Sequence, residues 1–207
     1  MTELVNRRGL ITGAAATLVA AALPARVFAQ PYSITEQHRR ILAVAKEQVA
    51  RAGSVLWRKD IVGVADFALP SGLPRLHFAD LEKGAVRSFL VAHGRGSDPE
   101  HDGFLKLFSN QVGSLATSRG AFITYEWYKG KYGTSIRLGG IDPENNNALE
   151  RAIVLHPAWY ANPAMLEKWG KLGRSDGCFA MAEADFNEAL WHLSGGRLIY
   201  ADRLGIY

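Results

Sequence analysis

From residue 60 onward, glycine and proline cut the chain into short apolar runs, and this punctuation most limits what it can fold into. DIVGVADFAL (60–69), PRLHFADL (74–81) and GAVRSFLVAHG (84–94) are β-branched or alternating, separated by Pro70, Gly72, Pro74 and Gly84. Such runs are too short for a full amphipathic helical stripe, but strands need only about four to eight residues. FITYEWYKGKYGTSIRLGGI (122–141) sets two glycine turns between aromatic and β-branched stretches, as a hairpin does. RAIVLH (151–156) and RLIYAD (197–202) read as further strands. Glycine fills 21 of 207 positions, above the usual ~7%, which fits many turns and argues against a helical bundle.

Helices are expected only at the margins. ITEQHRRILAVAKEQVARA (34–52) has helical apolar spacing, Thr35 as a candidate cap and Gly53 as a stop. Residues 157–173 read as loop or short helix, with Pro163 near a helix start, and AEADFNEALWHLSGG (182–196) as an amphipathic helix ending at glycines. The expectation is an α+β fold, a strand-dominated mixed β-sheet or sandwich core with peripheral helices. Neither a repeat nor a boundary interrupts residues 30–207, which read as one domain. Hydrophobic residues at 48% and charged residues at 21% are ordinary for a globular chain.

Residues 1–29 read as a secretory signal peptide: Arg7 and Arg8, an uncharged Ala-rich stretch, then Val27 and Ala29 before the expected cut. The paired arginines followed by Gly9, Leu10 and Ile11 are similar to a twin-arginine export signal. The expected location is periplasmic or exported cell envelope. Without Arg7, Arg8, Arg26 and Glu3 the formal net charge falls from +4 to +2. No basic run remains, so nucleic acid is not an expected partner, and no later segment is long and apolar enough to span a bilayer.

One cysteine, Cys178, excludes an intrachain disulfide and a Cys-rich metal site. In an exported protein a lone thiol is either buried as a small apolar residue or used. The surrounding GRSDGCFAM places it after a polar loop and before the expected helix, where a helix N-terminus would favour the thiolate. Gly177 would let the backbone approach a ligand, and amides at Gly177 and Cys178 would form an oxyanion hole. Of six histidines, His93 and His156 each end an apolar strand, and position alone does not choose between them as the base.

Five ordered segments carry a resemblance: HGRGS (93–97), FSNQVGS (108–114), GKYGTSIRL (130–138), RAIVLH (151–156) and GRSDGC (173–178). Together they are similar to the L,D-transpeptidase catalytic domain family, YkuD-like in fold, in its murein L,D-transpeptidase branch, from about Asp66 onward. The resemblance implies Cys178 as nucleophile and His156 as base. Gly177, Ser175, Arg174 and Asp176 would line the substrate or oxyanion side, Arg174 against a substrate carboxylate. His93 belongs to a family segment and reads as a hydrogen-bonded structural residue. Asp176 and Pro157 depart from the usual pattern, at positions that shape the acceptor side. The implied activity is cross-linking of peptidoglycan stem peptides, 3-3 or 1-3, through a Cys thioester, with neither metal nor cofactor. Hydrolysis of the same bonds, or a non-catalytic wall-binding module, are the alternatives.

Overall fold

The computed structural model describes residues 35–131 and 133–206; the expected export signal over 1–29 lies outside them. Helix α1 (Glu36–Ala52) starts where Thr35 Oγ1 accepts the His38 backbone N–H at 3.2 Å and stops at Gly53, φ 58°. Ile41, Leu42 and Ala45 form its buried stripe.

The strands are β1 (Ile61–Asp66), β2 (Leu76–Asp80), β3 (Ala85–Phe89), β4 (Gly120–Gly130), β5 (Gly133–Gly140), β6 (Val154–Pro157), β7 (Phe179–Met181) and β8 (Leu198–Asp202). They form one mixed sheet in the order β3-β2-β1-β8-β4-β5-β6-β7. β1–β8 and β6–β7 run parallel, and every other pair is antiparallel. Two short helices complete the set, α2 (Ala164–Trp169), which follows Pro163, and α3 (Glu183–Leu193).

Strand alternation divides the core. Val62 and Val64 of β1 join Leu198, Ala79 and Val86 beneath α1. Ala65, Phe122, Leu155, Phe179 and Ile199 face the opposite way and pack with Phe186, Ala189 and Leu193 of α3. Gly63 permits that close approach, since a Cβ there would sit 3.1 Å from Ile199 and 3.3 Å from Leu193.

The segment after β3 departs from expectation. The reading 84–94 makes one strand to His93, but β3 ends at Phe89. Ala92 instead exchanges backbone hydrogen bonds with Ala180 of β7, at 2.8 and 3.4 Å. Chain leaving one edge of the sheet therefore pairs with the other edge, and the sheet curls back on itself. Beyond that bridge Ser175 N donates to His93 O at 2.9 Å and Arg95 N to Ser175 O at 2.8 Å. The GRSDGC loop is thus one side of the seam that closes the sheet.

Candidate active site

Cys178 immediately precedes β7. The expected loop-to-helix junction is not there: β7 intervenes and α3 begins only at Glu183, so Cys178 does not stand at the N-terminus of α3. A three-residue strand leaves too faint a periodic signal to be separated from the apolar start of a helix. Phe179 holds the site from below, with ring centroids 5.8 Å from Phe67 and 5.5 Å from Phe122.

His156 lies in β6. The parallel register pairs it with Ala180 and Leu155 with Phe179. Paired residues share a face, so His156 and Ala180 lie on the face opposite Leu155 and Phe179. Cys178 stands two residues before Ala180, in the turn that leads into β7, and the backbone N–H of Val154, two residues before His156, is directed at its sulfur.

His156 Nδ1 lies 2.9 Å from the Pro157 carbonyl oxygen. A carbonyl only accepts, so Nδ1 carries the proton and Nε2 the lone pair. Burial lowers the imidazole pKa, favouring the neutral ring, and the Pro157 bond opposes this in part. Cys178 is 7% exposed, and its thiol donates to the Ala152 carbonyl at 3.7 Å. Burial pushes its pKa up to about 11; the Val154 backbone N–H and the Arg151 guanidinium pull it down, while Asp176 raises it further. The resting state near neutrality is therefore thiol and imidazole, not thiolate and imidazolium.

Ser175 ties the nucleophile turn together. Its hydroxyl donates to Cys178 O at 2.6 Å and accepts the Gly177 N–H at 3.2 Å. The Gly177 amide, expected in an oxyanion hole, is directed at Ser175 here. Gly177 has φ 114°, and a Cβ on it would lie 2.8 Å from Ala116 O and 3.0 Å from Arg151 Nη2, so glycine is required on two counts. Arg174 Nη1 donates to the Asp98 and Pro99 carbonyls, which ties it to the 95–99 turn. Asp176 is exposed and pairs with Arg95 Nε at 2.8 Å.

His93 is buried, at 1% exposure, and does not reach a cleft. The fully buried Arg75 donates from Nη2 to His93 Nδ1 at 2.6 Å, and also to the Val91 and Leu69 carbonyls. His93 Nε2 faces Asp98 Oδ2 at 3.4 Å, too loose to satisfy it as a hydrogen bond. Burial first, then the Arg75 charge, pushes its pKa down to about 3. His93, also a candidate for the substrate or oxyanion side, sits as a buried, hydrogen-bonded residue of the seam.

Sequence reasoning passed over Arg151. Its Nη1 donates to Ser109 O at 2.7 Å and Ser118 Oγ at 2.5 Å, and its Nη2 to Ala116 O at 2.5 Å. Its place at the head of RAIVLH makes it read as the polar start of a strand. Beside Pro157 opens a cleft of about 890 Å³, lined by Trp159, Asn162, Lys129, Lys168 and Asn187 among others. Neither Cys178 nor His156 lines it; it meets the pair only through Pro157. No helix among the described residues is long and apolar enough to cross a membrane.

The family model described as "L,D-transpeptidase catalytic domain" matches residues 35–201. No curated protein matches the chain. Among solved structures, an L,D-transpeptidase from Mycobacterium smegmatis is similar at 15% identity and a TM-score of 0.42, over 69% of this chain and 58% of that one. L,D-transpeptidase 3 from Mycobacterium tuberculosis, in complex with a faropenem-derived adduct, is similar at 13% identity and a TM-score of 0.43, over 69% and 60%. The helical cell shape determining protein Pgp2 from Campylobacter jejuni is similar at 11% identity and a TM-score of 0.44, over 81% and 56%. The chain covers less than two thirds of each of these proteins. The family match takes in nearly the whole described chain, Cys178 and His156 included, and the chain belongs to the YkuD-like family of L,D-transpeptidase catalytic domains.

Proposed function

We propose that this protein is an exported peptidoglycan L,D-transpeptidase, with Cys178 as nucleophile and His156 as general base. The observation that supports the reading is the parallel β6–β7 register, which sets His156 opposite Ala180, two residues after Cys178, together with the Pro157 bond that leaves the lone pair on His156 Nε2.

Because thiol and imidazole both rest neutral, the proton leaves sulfur as attack occurs. His156 Nε2 takes that proton. The sulfur adds to the carbonyl carbon of an L-centred residue joined to a D-centred residue in a stem peptide. When the tetrahedral intermediate collapses, the C–N bond breaks and the departing amine takes the proton from His156. A thioester remains on Cys178. The amine of a second stem attacks it, gives its proton to the imidazole, and leaves an amide cross-link as the thiol regains a proton. Water in place of the amine gives hydrolysis. The donor bond is diaminopimelate to D-Ala for 3-3 links, or L-Ala to D-Glu for 1-3 links. Lys129 and Lys168 in the cleft beside Pro157 suit the carboxylates of a stem peptide.

Sacculi incubated with mature wild-type protein, then digested and resolved by mass spectrometry, are expected to yield cross-linked dimers, with none from Cys178→Ala. Dimers persisting in Cys178→Ala would refute the nucleophile; shortened monomers alone would make the enzyme a hydrolase. A carbapenem is expected to add one drug mass to the wild type and none to Cys178→Ala.

A further inference from the structure

Cys178 is almost closed off from water, yet the proposed chemistry needs negative charge to form there and on the carbonyl it attacks. The charged groups around it come from three elements. Asp176 on its own loop is paired with Arg95 across the seam, and His156 lies on β6. Arg151 enters from the chain between β5 and β6. Its guanidinium is fixed to Ser109 O, Ala116 O and Ser118 Oγ, so its position is set by backbone. It presses against the nucleophile turn: Nη2 would lie 3.0 Å from a Cβ on Gly177. The next residue, Ala152, supplies the carbonyl that accepts the Cys178 thiol, from a left-handed φ of 53°. Non-glycine residues adopt that conformation at a cost of about 1–2 kcal/mol, so its persistence beside the thiol implies that the surrounding packing enforces it.

We propose that Arg151 is the electrostatic positioning residue of this site, its anchored guanidinium favouring the negative charge that develops on the Cys178 sulfur during acyl transfer. The role rests on the acyl-transfer reading for its significance, but it is measurable on the thiol alone. Burial lowers the pKa of Arg151 and the Cys178 charge raises it, so the two groups sense each other in both directions.

Cys178 is the chain's one cysteine, so alkylation by iodoacetamide, followed by intact mass at fixed pH values between about 7 and 9.5, reports on it alone. Two neutral variants separate charge from shape: Arg151→Gln keeps donors, and Arg151→Met keeps length. Both are expected to slow alkylation about tenfold at every pH in that range, where the thiolate is the minor form, with the wild-type melting transition retained. Arg151→Lys keeps the charge and is expected to alkylate near the wild-type rate. Wild-type rates in a folded neutral variant overturn the assignment. If neither neutral variant folds, Arg151→Lys decides: a rate near wild type supports the role of charge, and a loss of about tenfold overturns it. The expected alkylation rates beside absent muropeptide products would refute the transpeptidase reading and leave the Arg151 assignment standing.

Discussion

At the scale of single residues, the candidate site depends on how few atoms hold the nucleophile turn. Ser175 Oγ is donor to Cys178 O and acceptor from Gly177 N, both buried. Ser175→Ala leaves two backbone groups without partners, each costing about 1–3 kcal/mol when desolvated. The expected loss is about 2 kcal/mol in urea unfolding, with kcat/KM for dimer formation down at least about tenfold because the sulfur is no longer held in line. Ser175→Thr, which keeps the hydroxyl, is expected to recover most of both. Wild-type rates in a destabilised Ser175→Ala would show that the hydroxyl supports the fold and does not aim the sulfur. Cys178 stood out in the sequence as the one thiol, whereas residue type and position left His93 and His156 equal as candidates and the choice of His156 came from the family resemblance. Arg151 was not legible, since nothing local reveals which of many arginines folds back toward the thiol. The resting partners of Arg174 and the Gly177 amide were not legible for the same reason: a motif names neighbours in sequence, while hydrogen bonds to Asp98, Pro99 and Ser175 are set by the turn's three-dimensional path.

At the scale of elements, the strand pattern was legible and the seam was not. Alternation and glycine turns located β1, β2, β4, β5, β6 and β8, because a half-buried strand writes its period into the sequence. The three-residue β7 and the 90–95 segment carry no such period; their pairing is made by long-range backbone bonds. Steric demand is the signature they do leave. At Gly94 a Cβ would lie 2.3 Å from Leu115 O and 2.7 Å from Gly177 Cα, inside contact distance of backbone from two other segments. Gly94→Ala is therefore expected to destabilise by about 2–3 kcal/mol through overpacking and to disturb Cys178 through Gly177. Gly84→Ala is the control: its φ of 64° is left-handed, but nothing lies within 4 Å of the new Cβ. There the expected cost is about 1 kcal/mol, with the Cys178 alkylation rate unchanged. Equal costs in equilibrium unfolding would mean that the seam gives way without strain.

For the whole molecule, closing the sheet on itself buries groups that would rather be charged in water. Arg75 sits fully buried at the seam, held by the Val91 and Leu69 carbonyls and by His93, with burial lowering its pKa to about 9. His93 is held neutral beside it, at about 3, and His77 in β2 is held neutral by burial at about 4. The unfolded chain would protonate both near the ordinary histidine value of about 6.5. Between those limits the unfolded state binds more protons than the folded one, so stability must rise with pH. The contribution is complete above about pH 6.5 and is lost as the pH falls toward 4 for His77 and 3 for His93. Each group approaches a slope of about 1.4 kcal/mol per pH unit. The depressed carboxylates Asp60, Asp80 and Asp142 also stabilise the fold at high pH, but they act only near and below their ordinary value of 3.8. Between pH 6.5 and 5 the slope therefore comes chiefly from the histidines, with His156 adding to it in the same direction and the raised carboxyl of Asp185 opposing it. Urea titrations at half-unit pH steps are expected to show unfolding free energy falling through this window, and His77→Gln to reduce the slope by nearly one proton's worth. A flat profile from pH 6.5 to 5 in the wild type would mean that the buried imidazoles charge without opening the structure, and that the seam is wetter than its packing implies.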